Sequence, residues 1–194
     1  SHRYDGVTPV EETMQALIDI VKQGKALYVG ISKYPPAQAK IAYEMLRAAG
    51  VPCLISQYRY SMFDRTVEEK SLPLAAEQGS GFIAFSPLAQ GLLTKKYLHG
   101  IPEHSRAARS TGFLKVDQVT EDKVGKARRL DEIAARRGQT LAEMALAWVL
   151  KDERMTSVIV GTSSVKQLAD NLHALDNLNF TNEELAEIEG ILRL

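Results

Sequence analysis

The sequence is short of several things at once, and each shortage removes a class of protein. It has a single cysteine, Cys53, among 194 residues. No intramolecular disulfide can form, and a lone thiol in an apolar run fits a reducing cytosol, so the chain is read as cytoplasmic. It has no net charge: 24 basic side chains balance 24 acidic ones. That balance gives no electrostatic case for nucleic acid or an anionic membrane as partner. No apolar run approaches the roughly 20 residues needed to span a bilayer, and the opening Ser-His-Arg-Tyr-Asp is no secretory signal. The four histidines, His2, His99, His104 and His173, are scattered without metal-ligand spacing. A phosphate-binding loop, a Gly-rich Rossmann fingerprint and a nucleophile elbow are all missing.

What remains is ordinary globular material, 45% hydrophobic and 25% charged, enough for one sizeable core. Helix and strand signals alternate along it. Thr8-Pro9-Val10-Glu11 predicts a capped helix start, and Met14, Leu17, Ile18 and Val21 recur at helical spacing before Gly24. Residues 26–32 read as a buried strand, 36–49 as a helix stopped by Gly50, and 53–57 as a second strand. Thr66-Val67-Glu68-Glu69 offers a cap for another helix, which Pro73 breaks or displaces. The third strand is 82–85. A polar stretch, 92–119, follows; a loop of that length is functional or disordered. Thr120 and Thr140 then open helices, 157–160 reads as a fourth strand, and Ser164 and Thr181 open the last two helices.

The third strand carries the sharpest signal. Phe82-Ile83-Ala84-Phe85 suits a strand buried on both faces, and Pro87 forces it to stop. The residues beyond lie at the carboxyl end of a strand, where β/α folds place their ligands. Strands each followed by helix, plus a leading helix without its strand, predict a parallel sheet with right-handed crossovers. Eight strands are needed to close a barrel. The pattern leaves open an α/β sheet or the back half of a barrel.

Several segments match a known family in order: Ser1-His2-Arg3-Tyr4-Asp5, Gly30-Ile31-Ser32-Lys33-Tyr34, Ser56-Gln57-Tyr58, and Phe85-Ser86-Pro87-Leu88-Ala89-Gln90-Gly91-Leu92-Leu93-Thr94. Lys96-Tyr97, Gly100-Ile101-Pro102, Ser105-Arg106, Ala145-Leu146-Ala147-Trp148-Val149-Leu150 and Gly161-Thr162-Ser163 continue it, followed by Gln167 and Asn171. The chain resembles the C-terminal half of the aldo-keto reductases, and within them the branch of L-glyceraldehyde 3-phosphate reductases and voltage-gated potassium channel β subunits. The resemblance implies an α/β fold that is the C-terminal half of a (β/α)8 TIM barrel. It holds strands five to eight with their helices, preceded by the end of strand four and helix four. Residues 1–194 would then form one partial barrel domain, a fragment whose N-terminal half, with the family's catalytic Asp, Tyr and Lys, is absent.

The resemblance also implies NADP-dependent reduction of a small carbonyl substrate, with no membrane or nucleic-acid partner. His2 matches the catalytic histidine that polarises the carbonyl. Ser32 and Gln57 match the holders of the nicotinamide carboxamide, and Phe85 the aromatic on which the ring stacks. Ser86, Pro87, Leu88, Gln90 and Gly91 match the pyrophosphate loop, and Lys96 and Arg106 its basic pair. Gly161, Ser163 and Gln167 match the surroundings of the adenosine 2′-phosphate, and Asp170 and Asn171 the adenine edge. Lys33 is a departure, because most of the family has Asn there. Two other readings stay open: an NADP-sensing regulatory subunit of the potassium-channel β type, and a half-barrel that pairs with itself as a homo-oligomer to cover its sheet edges.

Overall fold

A computed structural model of the chain describes residues 1–103, 105, 107–108 and 113–193. It resolves into two compact units. One comprises Ser1–Tyr60, Arg65–Phe85 and Glu153–Ser157, the other Ser61–Asp64, Ser86–Asp152 and Val158–Leu194.

The first unit is built on β1 (Val29–Ser32), β2 (Cys53–Arg59) and β3 (Gly81–Phe85), paired parallel, with the opening residues of β4 (Met155–Ile159) beside β3. Helices α1 (Val10–Lys22), α2 (Pro36–Ala48) and α3 (Ser71–Glu77) supply the crossovers. The helical faces are as patterned: Met14 and Ile18 of α1, and Ala39, Ala42, Tyr43 and Leu46 of α2, are buried. Gly50, with φ 72°, takes the left-handed turn after α2 that a side chain resists. Ser1 extends the sheet on its far side. Its N–H donates to the Gly30 carbonyl at 2.7 Å, and its own carbonyl accepts the Ser32 N–H at 2.9 Å, which is one step of a parallel ladder.

Several expectations fail here for identifiable reasons. Residues 26–28 are not strand, and Leu27 and Tyr28 are exposed. Thr8 does not cap α1, because its hydroxyl donates to the Asp5 carboxylate at 2.7 Å. Asp5 also accepts the N–H groups of Val7 and Thr8, and these donors, Val7 first, hold its carboxyl below the ordinary value. The helix foreseen after Thr66 begins at Ser71, which places Pro73 in the first turn, where its missing N–H costs nothing. β3 is buried on one face only: Phe82 and Ala84 are inside, whereas Ile83 and Phe85 are half-exposed.

A buried polar chain runs through this unit unannounced by any motif. Tyr43 and Ser56 hydroxyls bond at 2.6 Å, and Ser56 and Ser80 at 3.0 Å, tying α2 to β2 and to the entry of β3. Burial lifts the Tyr43 hydroxyl and the Cys53 thiol above their ordinary values. Tyr58 stacks on Phe82 with ring centroids 5.1 Å apart and donates its hydroxyl to the Tyr34 carbonyl at 2.8 Å.

The second unit is helical: α4 (Glu121–Arg136), α5 (Leu141–Leu150), α6 (Val165–Leu172) and α7 (Asn182–Arg193). Its caps are those the sequence predicts. Thr120 accepts from the Lys123 N–H and Ser164 from the Gln167 N–H. Thr140 with Glu143 and Thr181 with Glu184 close reciprocal capping boxes. The polar stretch 92–119 is not without a core of its own: Leu92, Tyr97, Ala107 and Leu114 are buried together, with Phe63, Ile101 and Val119 against them. The fourth strand starts two residues earlier than its apolar run, at Met155.

Candidate functional site

Beyond β3 the second unit opens a cleft of about 490 Å³. It is lined by Ser86, Pro87, Leu88, Gln90, Gly91, Thr94 and Lys96 on one side of the sequence and by Ile159, Val160, Gly161, Thr162, Ser163 and Gln167 on the other. Local backbone explains its shape. Ser86, Ala89 and Gln90 hold φ of 55°, 46° and 60°, left-handed values that non-glycine residues rarely take, and Gly91 follows at 103°. Tight turns lock these angles: Ala89 N–H to Ser86 carbonyl at 2.9 Å, Gly91 N–H to Leu88 carbonyl at 2.8 Å, Leu93 N–H to the same carbonyl at 3.2 Å. The Leu88 and Gln90 N–H groups have no backbone acceptor among the described residues. Successive turns of this kind make a concave run of N–H donors suited to an anion.

The opposite wall ends at the start of α6. Ser163 donates its N–H at 2.9 Å and its hydroxyl at 3.1 Å to the Gln167 side-chain carbonyl. Charge in this cleft is one-sided. Among the described residues Lys96 is its one cation and no Asp or Glu lines it, and the Lys96 ammonium pairs with no described carboxylate. Lys95, next to it, is held instead by Asp131 at 3.6 Å. A helix N-terminus, unpaired backbone donors and a free ammonium together suit a phosphorylated ligand.

The remaining expected residues fall elsewhere. Ser32, Gln57 and Phe85 stand at the carboxyl edge of the first unit's sheet, with Ser32 in register with Gln57, and Arg59 with Phe85. His2, exposed, follows Ser1 at the same edge. The Ser32 hydroxyl is buried yet has no hydrogen-bond partner among the described residues, and no described residue bonds the Gln57 side chain. Buried polar atoms are nearly always satisfied, so an orphan hydroxyl at a strand tip fits a group that a ligand completes. Asp170 and Asn171 lie one turn along α6 and outside the cleft lining. Asp170 is paired with Lys166 at 2.9 Å, whereas the Asn171 amide nitrogen is a second buried, unpartnered donor. Arg106 lies outside the described residues. Sequence reasoning missed Thr94, Ile159, Val160 and Thr162. Thr94 and Thr162 sit one or a few positions from residues it did select, and Thr94 closes the loop by donating to the Gly91 carbonyl at 2.7 Å.

Among the described residues no cluster of histidine, cysteine or carboxylate side chains could hold a metal, and no helix is long and apolar enough to cross a membrane. What the scaffold defines is an α/β protein with a parallel sheet whose carboxyl edge and following loop gather unsatisfied donors. The aldo/keto reductase family profile matches residues 1–193. An L-glyceraldehyde 3-phosphate reductase of Escherichia coli O157:H7 is 49% identical over 193 residues, covering 97% of this chain and 56% of that protein. The protein of the same name from Escherichia coli strain K12 is 47% identical with the same coverage. The chain belongs to the aldo/keto reductase family, and it spans about half the length of these relatives.

Proposed function

We propose that this chain is the C-terminal half of a (β/α)8 aldo-keto reductase that uses NADP to interconvert a small aldehyde or ketone and its alcohol. The observation that carries the reading is the charge and backbone of the cleft: among the described residues one unpaired ammonium, no carboxylate, and a left-handed loop in which the Leu88 and Gln90 N–H groups lack backbone acceptors. Those are the needs of a pyrophosphate. Ser163 and Gln167 at the start of α6 would meet a 2′-phosphate, which favours NADP over NAD, and the Asn171 donor would meet the adenine edge. Arg106 joins Lys96 in this reading through the family resemblance alone.

At the sheet edge the Ser32 hydroxyl and the Gln57 amide offer the donor and acceptor that a nicotinamide carboxamide requires, and Phe85 a flat face for its ring. When bound, the reduced nicotinamide supplies hydride. This chain's own contribution is to hold that ring and to place His2 as a hydrogen-bond donor at the carbonyl oxygen, where negative charge develops. The proton donor belongs to the Asp, Tyr and Lys set that the resemblance assigns to strands before this chain. Both curated relatives are named as reductases, which favours catalysis over the regulatory-subunit reading.

The test is NADPH oxidation by the full-length protein across a panel of short aldehydes. Turnover is expected, and Lys96→Gln should raise KM for NADPH on the order of tenfold while kcat is nearly kept. Tight NADP binding with no turnover on any aldehyde would overturn the proposal and restore the regulatory reading.

A further inference from the structure

His2 is exposed, and no described residue hydrogen-bonds its ring. A side chain without a bond of its own takes its place from the backbone that carries it, so whatever grips residues 1–4 decides where the ring stands. One grip is the parallel ladder that fixes Ser1 beside β1. The other is Tyr34. Its hydroxyl and the Ser1 hydroxyl bond at 2.9 Å. Its ring meets the Tyr4 ring with centroids 6.2 Å apart and planes at 47°, a tilted pair within aromatic contact range. Tyr34 therefore touches the chain both before and after His2. It is itself anchored, 2% exposed, with its carbonyl accepting the Tyr58 hydroxyl at 2.8 Å while the Tyr58 ring stacks on Phe82. Lys33, just before it, is left-handed at φ 56° and locked by its N–H to the Gln57 carbonyl at 3.0 Å. That strained residue turns the chain at the end of β1, and the side chain that follows it is the one that reaches Ser1 and Tyr4.

We propose that Tyr34 is the positioning residue for His2, and that its hydroxyl bond to Ser1 sets where the imidazole stands at the sheet edge. The two ladder bonds fix Ser1 along β1 but leave the chain able to pivot about them. A directional hydroxyl bond on one side of His2 and a ring contact on the other remove that pivot. Placement matters because a catalytic donor displaced by about 1 Å loses on the order of 100-fold in rate. The effect on turnover rests on the carbonyl-reducing reading above, whereas the coupling of Tyr34 to His2 does not.

The experiment is a double-mutant cycle in the full-length protein, read by kcat with a short aldehyde and by ring-nitrogen NMR of the NADP-loaded form, His2 being assigned by the signals lost in His2→Gln. Tyr34→Phe keeps the ring against Tyr4 and removes only the hydroxyl; Ser1→Ala removes its partner. Each should lower kcat on the order of tenfold, keep NADP affinity within about twofold and shift the His2 ring signals. The double variant should be no slower than the worse single one, because both remove the same bond. Tyr43→Phe, which breaks a tyrosine–serine bond of the same kind on α2, should lower the urea midpoint and leave kcat and the His2 signals as they were. Losses that simply multiply in the double variant overturn the proposal. So do parental kcat and ring signals in Tyr34→Phe, or an equal loss of kcat in Tyr43→Phe, since stability alone then accounts for the effect. A protein that reduces no aldehyde refutes the catalytic reading, yet the ring signals still decide whether Tyr34 places His2.

Discussion

Two serines on neighbouring strands should respond to the same substitution with opposite signs. Ser56 is fully buried, and its hydroxyl bonds both Tyr43 and Ser80. Ser56→Ala strands a buried tyrosine hydroxyl, a loss of about 1–3 kcal/mol. Ser32 is 8% exposed, and its hydroxyl has no partner among the described residues. Ser32→Ala removes a penalty of that same kind, offset by a void smaller than a methyl group worth under about 1 kcal/mol. The net expectation is a gain of about 1 kcal/mol, so the two variants should differ by roughly 2–4 kcal/mol. Urea unfolding at neutral pH without cofactor reads this as midpoints displaced on either side of the parent. Cofactor titration of the full-length protein should show the reverse order for Ser32→Ala: a more stable protein that binds NADP on the order of tenfold more weakly. If Ser32→Ala is destabilised as much as Ser56→Ala, or binds NADP like the parent, the orphan-hydroxyl argument is wrong.

Three further outcomes follow from the packing. A Cβ at Gly30 would stand 2.6 Å from the Ile55 carbonyl oxygen on the paired strand, so Gly30→Ala should cost about 3 kcal/mol, and an unfolding midpoint equal to the parent's would refute that. Arg137 is 2% exposed and joins Glu184, the Asn179 carbonyl at 2.8 Å, the Gln139 side chain at 2.9 Å and the Phe180 ring at 3.7 Å. Arg137→Met should cost about 3 kcal/mol, the lower end for a broken buried pair because Glu184 keeps some solvent, and amide exchange should quicken across 177–184; Arg137→Lys should recover little, lacking the planar fork. Burial holds Cys53 above its ordinary 9.0 and Tyr43 and Tyr58 above 10.0. Each keeps its proton more tightly folded than unfolded, so the stability it contributes is complete below those values and is lost as pH rises through them. Urea midpoints should therefore fall from about pH 9 upward, and Cys53→Ala should delay the onset toward the tyrosine range; a flat alkaline profile would contradict this.

How much of this was legible in the letters depended on how local the cause was. The caps at Thr120, Thr140, Ser164 and Thr181 were readable because each is a bond between a side chain and a backbone N–H three residues on. The faces of α1 and α2 were readable from period alone. Thr8 misled because Asp5, three residues upstream, competes for the same hydroxyl. Residues 26–28 misled because an apolar run does not say whether anything lies opposite it, and here nothing buries Leu27 or Tyr28. The loop after β3 hid its core because Leu92, Tyr97, Ala107 and Leu114 meet without any period. In the candidate site, the family resemblance picked out residues on both walls of the cleft, but not Ile159 or Val160, whose apolar side chains look like any strand end.

The unpartnered hydroxyl of Ser32 and the left-handed angles were invisible to sequence for a deeper reason. Among the described non-glycine residues, positive φ occurs at Lys33, Ser86, Ala89 and Gln90. All four follow strand ends of the kind that bear ligands in β/α folds. Local propensity argues against each, since serine, alanine, glutamine and lysine all prefer other regions. Such angles persist only where surrounding bonds over-determine them. Lys33 is held by the Gln57 carbonyl, and the Ser86–Gly91 run by three interlocking turns and Thr94. A sequence chosen for stability alone would place glycine at these positions at little cost. That Ser86 and Gln90 keep side chains there, on the wall of the cleft, is what the proposed cofactor reading requires of them.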